Sequence, residues 1–248
     1  DIPPVAGPDI YYDDERTDED LSPTINLRYF FNPDVMGYAT ISRGFKSGGY
    51  NQRREVEGSN GEFDEEIATN YEVGWKSSWA NRRLQFNGTF FYVTYDDFQS
   101  QTFTGASLRV INAGNMTSYG SELELVFIPM ANMTLGSALG YNKAEYDSFD
   151  AGQCTVEQAF YDYYVVKGAQ SGAPGTSTVC TQDLEGEPLD NAPEWTVSSY
   201  LQYDSQFGDD LLGIARLEHS YIDEYYLDQD LDENLTNDAV NLINLRLT

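Results

Sequence analysis

Hydrophobic and polar residues alternate with a period of two along most of the chain. In residues 70–79, NYEVGWKSSW, the side chains of Tyr71, Val73, Trp75 and Trp79 fall on one side of an extended strand. Glu72, Lys76 and Ser78 fall on the other. Residues 22–31 set Ile25, Leu27, Tyr29 and Phe31 against Thr24, Asn26 and Arg28. Residues 36–43 set Gly37, Ala39 and Ile41 against Tyr38, Thr40 and Ser42. Further on, Leu84, Phe86, Phe90 and Tyr92 oppose Gln85, Asn87 and Thr89, and Leu123, Leu125 and Phe127 oppose Glu122 and Glu124. Trp195, Val197, Leu201 and Tyr203 oppose Thr196, Ser198 and Gln202. Residues 211–221 are less regular, with Arg216 and Glu218 on one face, and a last strand runs near 241–248. The pattern predicts about nine strands and no amphipathic helix.

The connections carry a second signal. Short turns at 32–34, 80–82 and 129–132, and a slightly longer one at 204–210, alternate with long excursions at 46–64, 100–107, 147–190 and 222–238. In an up-and-down sheet alternate connections lie at the same end, so one end is trimmed and the other carries loops. Residues 83–103 and 108–128 each predict a strand of about 20 residues, against the ~5–6 of ordinary globular strands. At ~3.3 Å per residue and a tilt near 40°, such a strand rises about 50 Å, twice the ~25 Å apolar band of an outer-membrane barrel. The predicted fold is therefore all-β: part of a transmembrane antiparallel up-and-down β-barrel, with short periplasmic turns and long external loops. Alternation by itself also fits a soluble two-layer sheet; strand length and the sorting of loops separate the two. On the barrel reading Tyr71, Val73, Trp75, Trp79, Leu84, Phe86, Leu123, Leu125 and Phe127 face lipid. Glu72, Lys76, Glu122, Glu124 and Arg216 face a wet lumen. Trp79, one residue before the 80–82 turn, is expected at the membrane–water boundary.

Charge agrees with that topology. The chain holds 41 acidic and 14 basic residues, a net charge of −27, which argues against nucleic acid as a partner. Residues 1–20, 147–190 and 222–238 together carry −21 of it, so the excess lies outside the expected strands. No apolar run approaches the ~18–20 residues of a membrane helix. The start at Asp1, without an initiating Met or an apolar leader, is expected to be a cut in a longer chain. The two cysteines, Cys154 and Cys180, lie in one long external loop without zinc-ligand spacing. A disulfide is expected there, closing about 25 residues and removing roughly 3–4 kcal/mol of chain entropy.

Other chemistry is sparse. His219 is the single histidine, and nothing around any Ser marks a nucleophile elbow, so no catalytic residue and no cofactor is expected. Asp228, Asp230 and Asp232 alternate as in a calcium loop, but Glu233 and Ala239 stand where that motif needs Gly and Glu. They are a weak calcium candidate, and no metal is assigned. Arg43, Lys46, Tyr50, Arg53 and Arg54 form the basic and aromatic cluster at an expected external end, a candidate contact for an anionic or hydroxylated ligand.

Six blocks in order carry a family likeness: YATISRGFKSGGYN (38–51), NYEVGWKS (70–77), FFYVTYDDFQ (90–99), INAGN (111–115), GSELEL (120–125) and NAPEW (191–195). From about Leu21 onward the chain resembles the barrel of TonB-dependent outer-membrane receptors. Residues 1–20 then read as an acidic connection and 21–248 as a barrel fragment. The resemblance implies about nine strands of a 22-stranded barrel in the outer membrane. It further implies a separate plug domain, the TonB complex, outer-membrane lipid and a small nutrient ligand (ferric siderophore, cobalamin or saccharide) as partners. A plug domain, a TonB box and an aromatic terminal residue are all missing from this sequence. The alternatives kept beside it are a secreted, soluble carbohydrate-binding-like module and a plugless pore.

Overall fold

The computed structural model describes residues 15–51, 61–103, 108–166, 180–208 and 211–248. Nine strands follow one another: β1 (Thr24–Asn32), β2 (Val35–Lys46), β3 (Glu66–Trp79), β4 (Leu84–Asp96), β5 (Met116–Met130), β6 (Met133–Tyr146), β7 (Trp195–Phe207), β8 (Leu211–Ile222) and β9 (Val240–Leu247). Each pairs antiparallel with the next, giving one nine-stranded meander in chain order. The meander is an open part of an up-and-down barrel. Among the described residues no second layer covers either of its faces.

The tight turns follow from local chemistry. Asn32 Oδ1 accepts the Asp34 N–H at 2.9 Å, an Asx turn between β1 and β2. Ala80, Asn81 and Arg82 take φ of 53°, 55° and 64° between β3 and β4, a left-handed run that only Asn adopts readily. The β7–β8 connection is shorter than the sequence suggests, because pairing continues to Phe207 opposite Leu211. Gly208, φ 70°, opens that connection in the left-handed region.

The register gives the strand tilt. Val35 pairs Ser77, two residues above the β3–β4 turn, while Phe207 lies six residues below the line joining Leu84, Phe127, Leu135 and Leu201. If the four tight turns share one level, they step about eight residues over six strands. That is ~26 Å along the strands against ~29 Å across them, a tilt near 40°.

Side-chain parity is kept across the sheet except at bulges beside two tight turns, at Phe30/Asn32 and at Met133/Leu135. One line joins Ile41, Tyr71, Tyr92 and Tyr119, and another joins Gly37, Trp75, Gly88, Leu123, Leu139, Val197 and Tyr221. Glu72, Lys76, Glu122, Glu124 and Arg216 all have the opposite parity. A one-residue slip at any strand pair would have exchanged the faces.

Two expectations are corrected. The 20-residue strands are interrupted: β4 ends at Asp96, and the ribbon Gln99–Phe103 with Leu108–Asn112 is a separate two-stranded sheet. The break comes from left-handed backbone at Asp97 (φ 54°) and Gly114 (φ 98°), which turns both arms away from the ladder. The 147–190 excursion also contains a short helix, α1 (Val156–Tyr161), followed by a π-helical turn (Asp162–Val166). Thr155 and Gln158 close a capping box at its start.

The buried core lies in the long connections and the strand ends that meet them. Ala113, Tyr146, Phe149 and Leu184 cluster there with Phe98, Ile111, Leu189 and Leu231. Tyr146 is 1% exposed, and it touches Phe98 and Phe149 with ring centroids 6.2 and 5.1 Å away. The loops after β4, β6 and β8 are thereby joined into one body.

Candidate functional site

The site has two parts: a sheet with two chemically different faces, and the loop body at one end. On the apolar face, Tyr71, Val73 and Trp79 are about half exposed, as are Phe90 and Tyr92. Trp75 packs edge-on against Phe86 at 5.5 Å and tilted against Phe90 at 6.0 Å. Leu84, Leu123, Leu125 and Phe127 complete the face on β4 and β5. Leaving such a surface in water is unfavourable by ~25 cal/mol per Å² of apolar area, and a contiguous patch of this size marks an interaction surface.

Aromatic residues bound that face. Tyr71, Tyr92 and Tyr119 lie on one register line; Tyr141 and Trp195 lie two residues lower; Tyr221 lies two lower again. The turns at the other end step in the same direction. The span from aromatic to turn runs from eight residues, Tyr71 to Trp79, to twelve, Trp195 to Phe207, or ~26 to ~40 Å along the strand. Tyr92 stacks on Tyr119 at 6.4 Å and Tyr141 meets Trp195 at 4.6 Å.

The polar face carries the charges. Arg216 donates to Glu218 at 2.7 Å and to Gln202 at 3.1 Å, and its guanidinium sits 3.8 Å over the Tyr200 ring. Tyr38 Oη lies 2.9 Å from Thr89 Oγ1. Glu124 receives one long contact from Asn87, at 3.4 Å.

The basic cluster is dispersed. Arg43 is ion-paired to Asp20 and donates to the Leu21 carbonyl at 2.9 Å, and it shares the parity of Ile41 on the apolar face. Lys46 has the opposite parity and lies 3.9 Å from Glu66. Tyr50 is half-buried in a ribbon with Glu62, and Arg53 and Arg54 lie outside the described residues. One strand cannot aim residues an odd number apart at the same partner. That rule was available from the sequence.

Cys154 and Cys180 are joined, with Cα atoms 5.6 Å apart. The bridge sits beside the ribbon Gly152–Gln153 with Thr181–Gln182. Asp228, Asp230 and Asp232 do not converge. Asp228 Oδ1 accepts the Gln229 N–H, Asp230 Oδ1 accepts the Asp232 N–H and Asp232 Oδ1 accepts the Asn234 N–H. One carboxylate oxygen of each is used on its own loop, and no metal-holding group of three acids, His or Cys forms among the described residues. Asp230 is 4% exposed, and burial, then the Asp228 and Asp232 charges, raises its pKa.

Two residues were not singled out by the sequence. Arg16 reaches Asp18, Glu62, Asp64 and Glu65 at 2.6–3.4 Å and the Phe63 carbonyl at 3.1 Å, fastening the segment before β1 to the β2–β3 loop. Its hydrogen bond to Asp18 leads the causes that raise its pKa further. A lone cation in the acidic run 13–20 was the available signal. Tyr146 anchors the loop body, and burial raises its phenol to about 12, with the Asp190 charge second. Nothing local distinguishes it from 18 other tyrosines.

Comparison with known proteins meets this geometry. Residues 5–248 match the family described as TonB dependent receptor-like, beta-barrel. The fold is similar to the ferric yersiniabactin uptake receptor FyuA from Yersinia pestis (18% identity, TM-score 0.65, 90% of this chain and 29% of that one). It is also similar to the siderophore receptor PiuA from Acinetobacter baumannii (13%, 0.64, 90% and 28%) and to the copper transporter OprC (14%, 0.60, 90% and 30%). The chain thus spans less than a third of these proteins' length.

Proposed function

The chain belongs to the TonB-dependent receptor β-barrel family, and we propose that it forms part of the wall of an outer-membrane receptor importing a scarce nutrient. The observation that carries this reading is an exposed apolar face bounded by turns at one end and aromatics at the other, both stepping in the same direction across the strands. Tilted strands with such a band suit a face immersed in a bilayer. The polar face then lines a wet lumen, and the fused loop body stands at the external mouth.

The nutrient proposed is a chelated metal, since FyuA and PiuA are named for ferric and siderophore uptake and OprC for copper. Ligand contacts are assigned to the external loops, with Arg43, Lys46, Tyr50, Arg53 and Arg54 as the candidates, Arg43 and Lys46 being held beside acids. A plug domain and the TonB complex are the proposed further partners, the latter supplying energy. No catalytic role is assigned to any residue.

Two measurements on the full-length receptor test this. A nitroxide at Val73→Cys in lipid vesicles should be reached by oxygen and not by a polar nickel chelate, and one at Glu72→Cys the reverse. Uptake of radiolabelled ferric siderophore by cells carrying the receptor should stop when the membrane potential is collapsed, and should weaken in the Arg53→Ala, Arg54→Ala pair. Equal nickel access at both positions overturns the lipid assignment. Uptake that survives loss of the potential overturns active transport.

A further inference from the structure

At the tight-turn end, residues 32–35 and 78–82 wall a cleft of ≈ 680 Å³. Trp79 belongs to this cleft and to the apolar face at once, and it is 52% exposed. Whatever covers the apolar face therefore borders the cleft.

The cleft holds one acid and one base. Asp34 comes from the first turn and Arg82 from the second, and both are exposed. Among the described residues neither side chain makes a hydrogen bond or an ion pair, with the other or with a third group. Only the Asp34 backbone is engaged: its N–H goes to Asn32 Oδ1 at 2.9 Å, and its carbonyl accepts the Ser78 N–H at 2.8 Å. These bonds fix the turns against each other and leave the carboxylate over. Arg83, next along the chain, is used differently. It donates to the Ile128 carbonyl at 2.8 Å and to the Pro129 carbonyl, tying its turn to the β5–β6 turn. Arg82 has no such duty, yet it sits at φ 64°, a conformation disfavoured for a residue with a Cβ. Glycine would turn there without strain, but it would not supply a cation.

Opposite charges held apart in one cleft suit a ligand that carries both. We propose that the cleft seats the headgroup of a zwitterionic phospholipid, with its phosphate on Arg82, its primary ammonium on Asp34 and its glycerol against Trp79. The proposal rests on the barrel-wall reading above, which sets this end of the apolar face at a membrane border. A guanidinium matches phosphate oxygens, and a carboxylate accepts N–H bonds from a primary ammonium. The amides of Asn32 and Asn81 line the same cleft for the remaining polar atoms. An indole, apolar with one donor, suits the level between headgroup and chains. A phosphate without an ammonium leaves Asp34 unanswered. A quaternary ammonium offers Asp34 no N–H. The ligand is a lipid and not a soluble phosphoester because Trp79 joins the cleft to the apolar face.

The test uses the full-length receptor in nanodiscs of phosphatidylglycerol, with and without phosphatidylethanolamine, read by hydrogen exchange in the peptide 79–84. Phosphatidylethanolamine should slow exchange there about 5-fold, since a seated headgroup holds the turn closed. Arg82→Gln and Asp34→Asn should each abolish the slowing. Both side chains are exposed and neither holds the turn, so the variants fold. Phosphatidylcholine in place of phosphatidylethanolamine, and free glycerophosphoethanolamine added to phosphatidylglycerol discs, should not slow it. Equal exchange with and without phosphatidylethanolamine overturns the site, as does slowing that survives both substitutions. Slowing by phosphatidylcholine overturns the Asp34–ammonium pairing, and slowing by the free headgroup overturns the lipid assignment. The nitroxide measurement at Val73 and Glu72 stays separate: its expected outcome together with lipid-independent exchange means the wall stands and the headgroup site fails.

Discussion

Trp75 occupies the space in which Gly88, its cross-strand partner, would carry a side chain. Only glycine lets the indole lie back across β4, between Phe86 and Phe90. Gly88→Val should push the ring off the sheet and cost about 1–3 kcal/mol, the usual range for overpacking. Urea titration of the full receptor in detergent, followed by tryptophan emission, reads the change. An unchanged midpoint would mean the ring has another position of equal energy.

The two faces should respond oppositely to charge. Val73→Arg is expected to cost about 2–4 kcal/mol near the bilayer midplane, and Glu72→Ala much less. Reversible folding into lipid vesicles measures both. The opposite ranking would exchange the faces.

The loop body should depend on its cross-link. Breaking Cys154–Cys180 releases a loop with a sequence separation of 26, which in the chain-entropy model is worth roughly 3–4 kcal/mol. Hydrogen exchange at Gly152–Gln153 and Thr181–Gln182 should rise on reduction, while exchange in β3 and β4 stays unchanged. Alkylation without prior reduction should add no mass.

Asp230 gives the same body a pH dependence. Its folded pKa is raised above the ordinary 3.8, chiefly by burial, so the folded loop holds the proton more tightly than the unfolded chain. Stability from this group is therefore greatest below about 3.8 and declines as pH rises through the raised value. Asp230→Asn keeps an oxygen for the Asp232 N–H and removes the charge. It should strengthen the loop at neutral pH and flatten the dependence, read as the opening free energy of the Asp232 amide.

How far the sequence reached differs between wall and loops. Strand existence, parity and the two-face assignment were legible because a β-strand alternates rigidly. Once Tyr71, Val73 and Trp75 share a side, Glu72 and Lys76 must share the other, whatever surrounds them. The family blocks were legible for the same reason, since they are strand and turn chemistry. The basic cluster is close in sequence, but strand parity sets Arg43 and Lys46 on opposite faces. Arg16 and Tyr146 escaped notice because their partners come from distant connections.

The alternation of residue types by itself determined the strands, their number and which side chains share a face, since these depend on local backbone geometry. Tertiary structure alone decided the stagger of the strands, the line of the aromatic border and the fusion of three loops around Tyr146. Each of these depends on which strand lies beside which, and in what register, a long-range choice that no short stretch of chain encodes.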